Sequence, residues 1–248
     1  MSDNLKNLKI EHSPIALNRT YQESFDYKHN NPYHDRLSQF SDFVLRDKEA
    51  EKLKGCWRES AFKNEFSKLV VEVGSGYGQF MIDYSQEHPD VNFIGLDYRF
   101  KRSFQLARKL SKLPHQNFKY LRAKGERLSF LFDSNEVDQL FYFFPDPWPK
   151  QRHHKKRLFQ KPFLQDCKKV LKKNGALFVK TDHDEYFDWM IKMLEKNTDL
   201  NFSLIAKTYD LHNDQNEDLE ILRTYQTKFE KLFISQGKKI KALLIHAS

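Results

Sequence analysis

The apolar run Leu69-Val70-Val71-Glu72-Val73 passes directly into Gly74-Ser75-Gly76-Tyr77-Gly78 and then into an amphipathic stretch from Gln79 to His88. Buried strand, glycine-rich turn and helix, in that order, open the nucleotide-binding unit of an α/β sheet, where glycine lets the backbone approach a ligand closely. Pro89 stops the helix, and Val91 to Asp97 reads as a second strand. From Arg99 to Ser111, Phe100, Phe104, Ala107 and Leu110 recur at helical spacing.

The alternation continues downstream. Strands are expected at Phe118–Leu121, Val137–Phe144, Ala176–Lys180, Phe202–Tyr209 and Lys239–His246, and helices at Lys161–Leu171 and Asp184–Glu195. Asn174-Gly175 is expected to end the first of these helices, and Cys167 falls on its apolar face beside Phe163, Leu164, Val170 and Leu171, as a core residue. Such a pattern predicts an open, doubly wound, mostly parallel sheet with helices on both faces. Residues 1 to 35 lack a sustained apolar period, and the stretch from about Asp42 to Phe66 reads as polar and helical, broken at Gly55. Residues 1–66 are therefore expected to form an N-terminal arm and helical extension, and residues 67–248 the main domain.

Composition narrows the class of partner. Lys and Arg number 42 against 34 Asp and Glu, a net charge of +8 in 248 residues, which suits a protein that meets polyanions but is also found in merely basic ones. The two cysteines, Cys56 and Cys167, stand far apart and suggest neither a disulfide framework nor a metal site. With a polar N-terminus and no long apolar run, the chain is expected to be cytoplasmic, with no membrane partner.

The spacing Gly74-x-Gly76-x-Gly78 differs from the dinucleotide-binding pattern, whose third glycine would fall at Gln79. A cofactor without phosphates, such as S-adenosylmethionine, fits better. Asp97, at the end of the second strand, is placed to accept hydrogen bonds from ribose hydroxyls, and Glu72 adds a carboxylate that a cationic sulfonium would favour. Further on, Phe143-Phe144-Pro145-Asp146-Pro147-Trp148-Pro149-Lys150 follows a strand end, where its prolines stiffen a loop presenting Asp146 and an aromatic ring. Behind it runs Gln151-Arg152-His153-His154-Lys155-Lys156-Arg157, a cationic stretch without an interspersed acid. Such density is a phosphate-binding footprint, with Arg152, Lys155, Lys156 and Arg157 as the expected phosphate contacts, to RNA if the partner is RNA. The adjacent histidines do not converge on a helix, so no metal is expected.

These residues resemble the bacterial tRNA (guanine-N7)-methyltransferases, a class I S-adenosylmethionine-dependent family, from about Leu69 onward. The Phe-Pro-Asp-Pro-Trp-Pro-Lys string with Arg-His-His-Lys-Lys-Arg after it is the most specific match, and Thr181-Asp182 and Thr227-Lys228-Phe229-Glu230 are also similar to family motifs. The resemblance implies a seven-stranded sheet with the last strand antiparallel and S-adenosylmethionine as cofactor. It also implies transfer of its methyl group to N7 of guanine 46 in the tRNA variable loop. Glu72, Gly74, Gly76, Gly78, Asp97, Lys124, Glu126 and Asp146 are then expected at the cofactor, with Asp146 also the catalytic residue. Lys150, Asp182, Thr227, Lys228, Phe229 and Glu230 are expected at the substrate, with Asp182 or Glu230 reading the guanine edge. Besides tRNA no obligatory protein partner is implied, and the chain is expected as monomer or homodimer.

One position departs from the family pattern. Lys124 stands where the family has an Asp after the third strand, and an ammonium cannot accept a hydrogen bond from an adenine amino group. Changing Lys124→Asp is thus expected to tighten cofactor binding. Two other readings stay open: a non-catalytic RNA-binding protein on a degenerate methyltransferase fold, and a methyltransferase acting on another substrate.

Overall fold

The computed structural model describes residues 19–62 and 67–248. The expected arm over residues 1–18 and the end of the expected extension, 63–66, lie outside the described residues. The strands are β1 (Val44–Arg46), β2 (Leu69–Val73), β3 (Asn92–Asp97), β4 (Phe118–Arg122), β5 (Val137–Phe143), β6 (Leu171–Thr181), β7 (Phe202–Thr208) and β8 (Lys241–Ala247). They form one sheet in the order β1-β4-β3-β2-β5-β6-β8-β7. Strands β1 to β6 pair in parallel, while β8 lies antiparallel between β6 and β7. The α-helices are α1 (Pro32–Arg36), α2 (Lys48–Glu51), α3 (Gln79–Glu87), α4 (Phe100–Leu110), α5 (Leu128–Leu131), α6 (Lys161–Val170), α7 (Asp184–Lys196), α8 (Glu220–Thr224) and α9 (Lys228–Ser235).

Because side chains alternate across a strand, each central strand feeds two cores. Val71, Val73, Ile94, Leu96, Leu140 and Tyr142 pack with Phe163, Leu164 and Cys167 of α6 and with Tyr186, Phe187 and Met190 of α7. Val70, Phe93, Phe141 and Phe143 pack on the other face with Phe80, Met81 and Tyr84 of α3 and with Leu106, Ala107 and Leu110 of α4. Cys167 is a core residue, as its helical position predicts.

Two expectations are corrected. The segment from Asp42 to Phe66 is not simply helical, since Val44–Arg46 pairs with Tyr120–Arg122 as an eighth strand at the edge of the expected seven. Phe43 against Phe118 and fully buried Trp57, whose indole donates to Leu131 O at 2.7 Å, tie this segment to the core. Asn174-Gly175 does not end α6. Leu171 already pairs with Val137, and residues 172–175 bulge from the ladder, with Asn174 at φ +61°, before Ala176 meets Gln139.

Chain order reverses at β2, which has β3 on one side and β5 on the other. In open α/β sheets ligands bind beyond the carboxyl ends of the strands at such a point.

Candidate active site

The glycine-rich turn after β2 holds Gly74, Gly76 and Gly78 at φ of +85°, +56° and +72°. Its amides fold across the end of β3: Gly74 N and Ser75 N donate to Leu96 O, and Gly76 N donates to Asp97 Oδ2 at 3.1 Å. Asp97 Oδ1 accepts from Arg99 N at 2.9 Å. Oδ2 also faces the Arg102 guanidinium at 3.7 Å, and a carboxylate with about four lone-pair positions can still accept from a hydroxyl. A side chain at Gly78 would place Cβ 2.2 Å from Leu106 Cδ1, whereas one at Gly74 would meet nothing within 4 Å. Gly78→Ala is therefore expected to lower stability by about 2 kcal/mol or more, since backbone strain and overpacking act together. Gly74→Ala carries only the strain, and its methyl group, at a residue lining the cleft described next, weakens cofactor binding more than it weakens the fold. Urea unfolding and cofactor titration of both variants check this ordering.

A cleft of about 890 Å³ opens beyond β2 to β5. Of the residues expected at the cofactor, Gly74, Asp97, Lys124, Glu126 and Asp146 line it; Gly76, Gly78 and Glu72 do not. The two glycines shape the turn. Glu72 is buried in mid-strand, with Oε2 lacking a hydrogen-bond partner. Burial pushes its carboxyl up to about 8, against the lowering effects of Ser75 and Lys180, so it is mostly protonated at neutral pH.

The loop after β5 is held in an unusual backbone shape. Phe144 and Trp148 both adopt positive φ, +47° and +45°, a conformation that costs of order 1–3 kcal/mol per residue and persists only where its surroundings impose it. Phe144 N donates to Lys180 O at 2.8 Å, and the Phe144 ring packs on Phe233 with centroids 5.7 Å apart. Arg157 fixes the far end. Its guanidinium is fully buried, donates to Pro147 O at 2.8 Å and Glu185 Oε1 at 3.1 Å, and stacks near Tyr186 and Trp189. Arg157 is thus a loop anchor and not the phosphate contact expected of it, because no part of its head reaches solvent. Between these anchors Asp146 is 64% exposed and pairs loosely with Arg99 at 3.4 Å.

Arg152, Lys155 and Lys156 are exposed, and the two lysines line the cleft mouth, with Lys156 Nζ 4.5 Å above the Trp148 ring. The expected substrate residues separate. Glu230 is completely buried: its carboxylate accepts from Lys180 Nζ at 2.6 Å and Thr227 N at 3.3 Å and lies 2.9 Å from His212 Nε2. It cannot read a guanine edge from there, and that expectation is corrected. Thr227 Oγ1 accepts from Glu230 N, completing the capping box of α9. Asp182 is held by Lys238 at 2.6 Å. Lys150, Lys228 and Phe229 remain exposed. Phe229 lies 6.4 Å from Tyr77 of the glycine turn, both rings being 44% exposed, so α9 and the turn share an aromatic rim.

Tyr21, Tyr98, Arg99 and Arg102 also line the cleft and were not singled out from the sequence. Tyr98 and Arg99 follow Asp97 directly, a positional signal that was available; nothing in the sequence marks Tyr21. Elsewhere His29 Nε2 sits 2.6 Å from Asp47 Oδ2, with His34 near, while Arg122 holds the other Asp47 oxygen.

Comparison with known proteins supplies a family context. Residues 67–243 match the family model described as "Putative methyltransferase". The chain is 33% identical over 219 residues to a tRNA (guanine-N(7)-)-methyltransferase of Lactobacillus gasseri, covering 88% of this chain and 97% of that one. It is 32% identical over 235 residues to a bifunctional glycosyltransferase/methyltransferase of Fusobacterium nucleatum, covering 95% of this chain but 35% of that protein. Among solved structures the 16S rRNA methyltransferase KamB aligns with a TM-score of 0.55 at 18% identity, over 82% of this chain and 94% of that one, a likeness of fold.

Proposed function

The chain belongs to the methyltransferase family whose model spans residues 67–243, and from that premise we propose that it is a cytoplasmic tRNA (guanine-N7)-methyltransferase using S-adenosylmethionine. The observation that carries the reading is the convergence, on one cleft, of the Gly74 turn, the Asp97 carboxylate and the anchored Asp146 loop, with Lys155 and Lys156 at its mouth. Similarity to the Lactobacillus gasseri enzyme over almost its whole length supports the choice of substrate.

The residues fit the cofactor. Asp97 lines the cleft with a carboxylate that can accept from a ribose, and the left-handed glycine turn leaves Gly74 open to the cleft. When bound, S-adenosylmethionine supplies an electrophilic methyl carbon on a sulfonium. Guanine N7 has an in-plane lone pair and no proton to lose, so the protein needs no general base. Its task is alignment and charge stabilisation. We assign alignment to the rigid Phe144–Pro149 loop with the Tyr77–Phe229 rim, and stabilisation of positive charge on the purine to Asp146. Guanine 46 of the variable loop is the proposed target.

A non-catalytic RNA-binding role is the different reading, and calorimetry separates the two. The enzyme reading expects binding of S-adenosylmethionine at micromolar to sub-millimolar concentration; no heat at millimolar cofactor would contradict it. Phosphate contact is tested separately. Replacing Lys155 and Lys156 with Ala is expected to weaken tRNA binding and reduce the slope of log affinity against log salt by about two, with cofactor affinity unchanged. An unchanged slope would remove these lysines from the RNA interface.

A further inference from the structure

The segment before β1 reaches the cleft from outside the matched region. Tyr21 lines it together with Tyr98 and the Ala123–Glu126 turn. Arg127, fully buried, donates from Nη1 to Thr20 O at 3.1 Å and Gln22 O at 2.7 Å. The same guanidinium grips Glu51 through Nε and Nη2, both at 2.9 Å, and lies 3.5 Å from the Phe130 ring centroid. A bidentate, buried arginine with two backbone carbonyls is a fixed clamp, so Tyr21 is placed and not merely near. Arg19–Tyr21 packs on the Gly125–Arg127 turn, and burial raises the Tyr21 hydroxyl well above its ordinary range, with the Glu126 charge adding. Lys124 completes the arrangement: its ammonium lies 5.5 Å from the Phe25 centroid and 5.9 Å from that of Tyr98.

A ribose held by Asp97 directs its base past the ends of β3 and β4, towards Tyr98 and residues 123–126. Tyr21 borders that space, and Phe25 reaches it through the Lys124 ammonium. We propose that Tyr21, clamped by Arg127, forms with Phe25 the outer wall of the adenosine end of the cleft, and that Lys124 secures this wall instead of contacting the base. The inference rests on the cofactor reading above. On it Lys124→Asp loses the bridge between Phe25 and Tyr98 and weakens adenosine binding, the reverse of the expectation from sequence.

The test is calorimetric titration of the full-length chain with S-adenosylhomocysteine and with 5′-methylthioadenosine, which keeps the adenosine and lacks the amino-acid end. Tyr21→Ala is expected to weaken both by a similar factor, about tenfold, the scale of losing one aromatic ring against a base. Tyr21→Phe, which keeps the ring, stays within about threefold. In the unaltered chain, saturating S-adenosylhomocysteine is expected to slow tryptic cleavage after Arg19 and Lys28, a readout independent of any variant's folding. Wild-type affinity in Tyr21→Ala, a loss confined to S-adenosylhomocysteine, or unprotected cleavage would overturn the wall. A wild-type chain that binds neither compound overturns the cofactor reading and this inference with it.

Discussion

Substituting Lys180→Met is expected to lower folding stability by about 3–5 kcal/mol, the largest single effect the structure implies. The Lys180 ammonium is fully buried and all three of its protons are used, on Leu222 O at 3.1 Å, Tyr225 O at 2.7 Å and Glu230 Oε2 at 2.6 Å. It lies 4.4 Å from the Phe143 ring centroid, inside the joint between β6 and the α8–α9 segment. Removing the cation leaves the buried Glu230 carboxylate with only Thr227 N and His212 as partners and leaves two carbonyls unpaired. The double variant Lys180→Met/Glu230→Gln removes both charges and should lose less than the sum of the single variants, because most of the cost is the orphaned charge. Urea unfolding of the three variants measures this. A Lys180→Met loss under about 1 kcal/mol would mean that the pair is not the joint described.

Asp146→Asn is expected to keep the shape of the loop and remove its charge. The single-turnover rate of methyl transfer, at saturating cofactor and tRNA, should fall about a hundredfold or more, near 2.7 kcal/mol of barrier, the scale of one lost preorganised electrostatic contact. Saturation matters because the carboxylate can also attract the sulfonium, and a change in affinity alone would otherwise imitate a change in rate. The Arg99 partner does not remove this charge, since both groups are at least half exposed and such pairs are weak. A near wild-type rate would contradict the role assigned to Asp146.

The central sheet was legible because its signals are local. Leu69–Val73, the glycine turn, Asp97 and the α3, α4 and α6 periodicities each depend on neighbours in the chain, and each forms close to its expected limits. What could not be read depends on partners distant in sequence. Arg157 sits in a run of exposed cations, and only the fold reveals Pro147 and Glu185 closing over it. Glu230 looks like a free acid until α9 packs it against Lys180 of β6, fifty residues away. Val44–Arg46 has three residues and no alternation long enough to announce a strand, yet β4 offers it an unpaired edge. Tyr21 belongs to a segment without apolar period, and it reaches the cleft because Arg127 holds its neighbours.

Mapping the methyl group tests the proposed activity most directly. Unmodified tRNA carrying a guanine at position 46 is incubated with the protein and methyl-labelled S-adenosylmethionine, then digested and sequenced by mass spectrometry. The proposed activity gives one 7-methylguanosine, located in the variable loop, and none when that guanine is replaced by adenine. Label on another nucleotide or atom, or no transfer to tRNA by a chain that binds both cofactor and RNA, would contradict it.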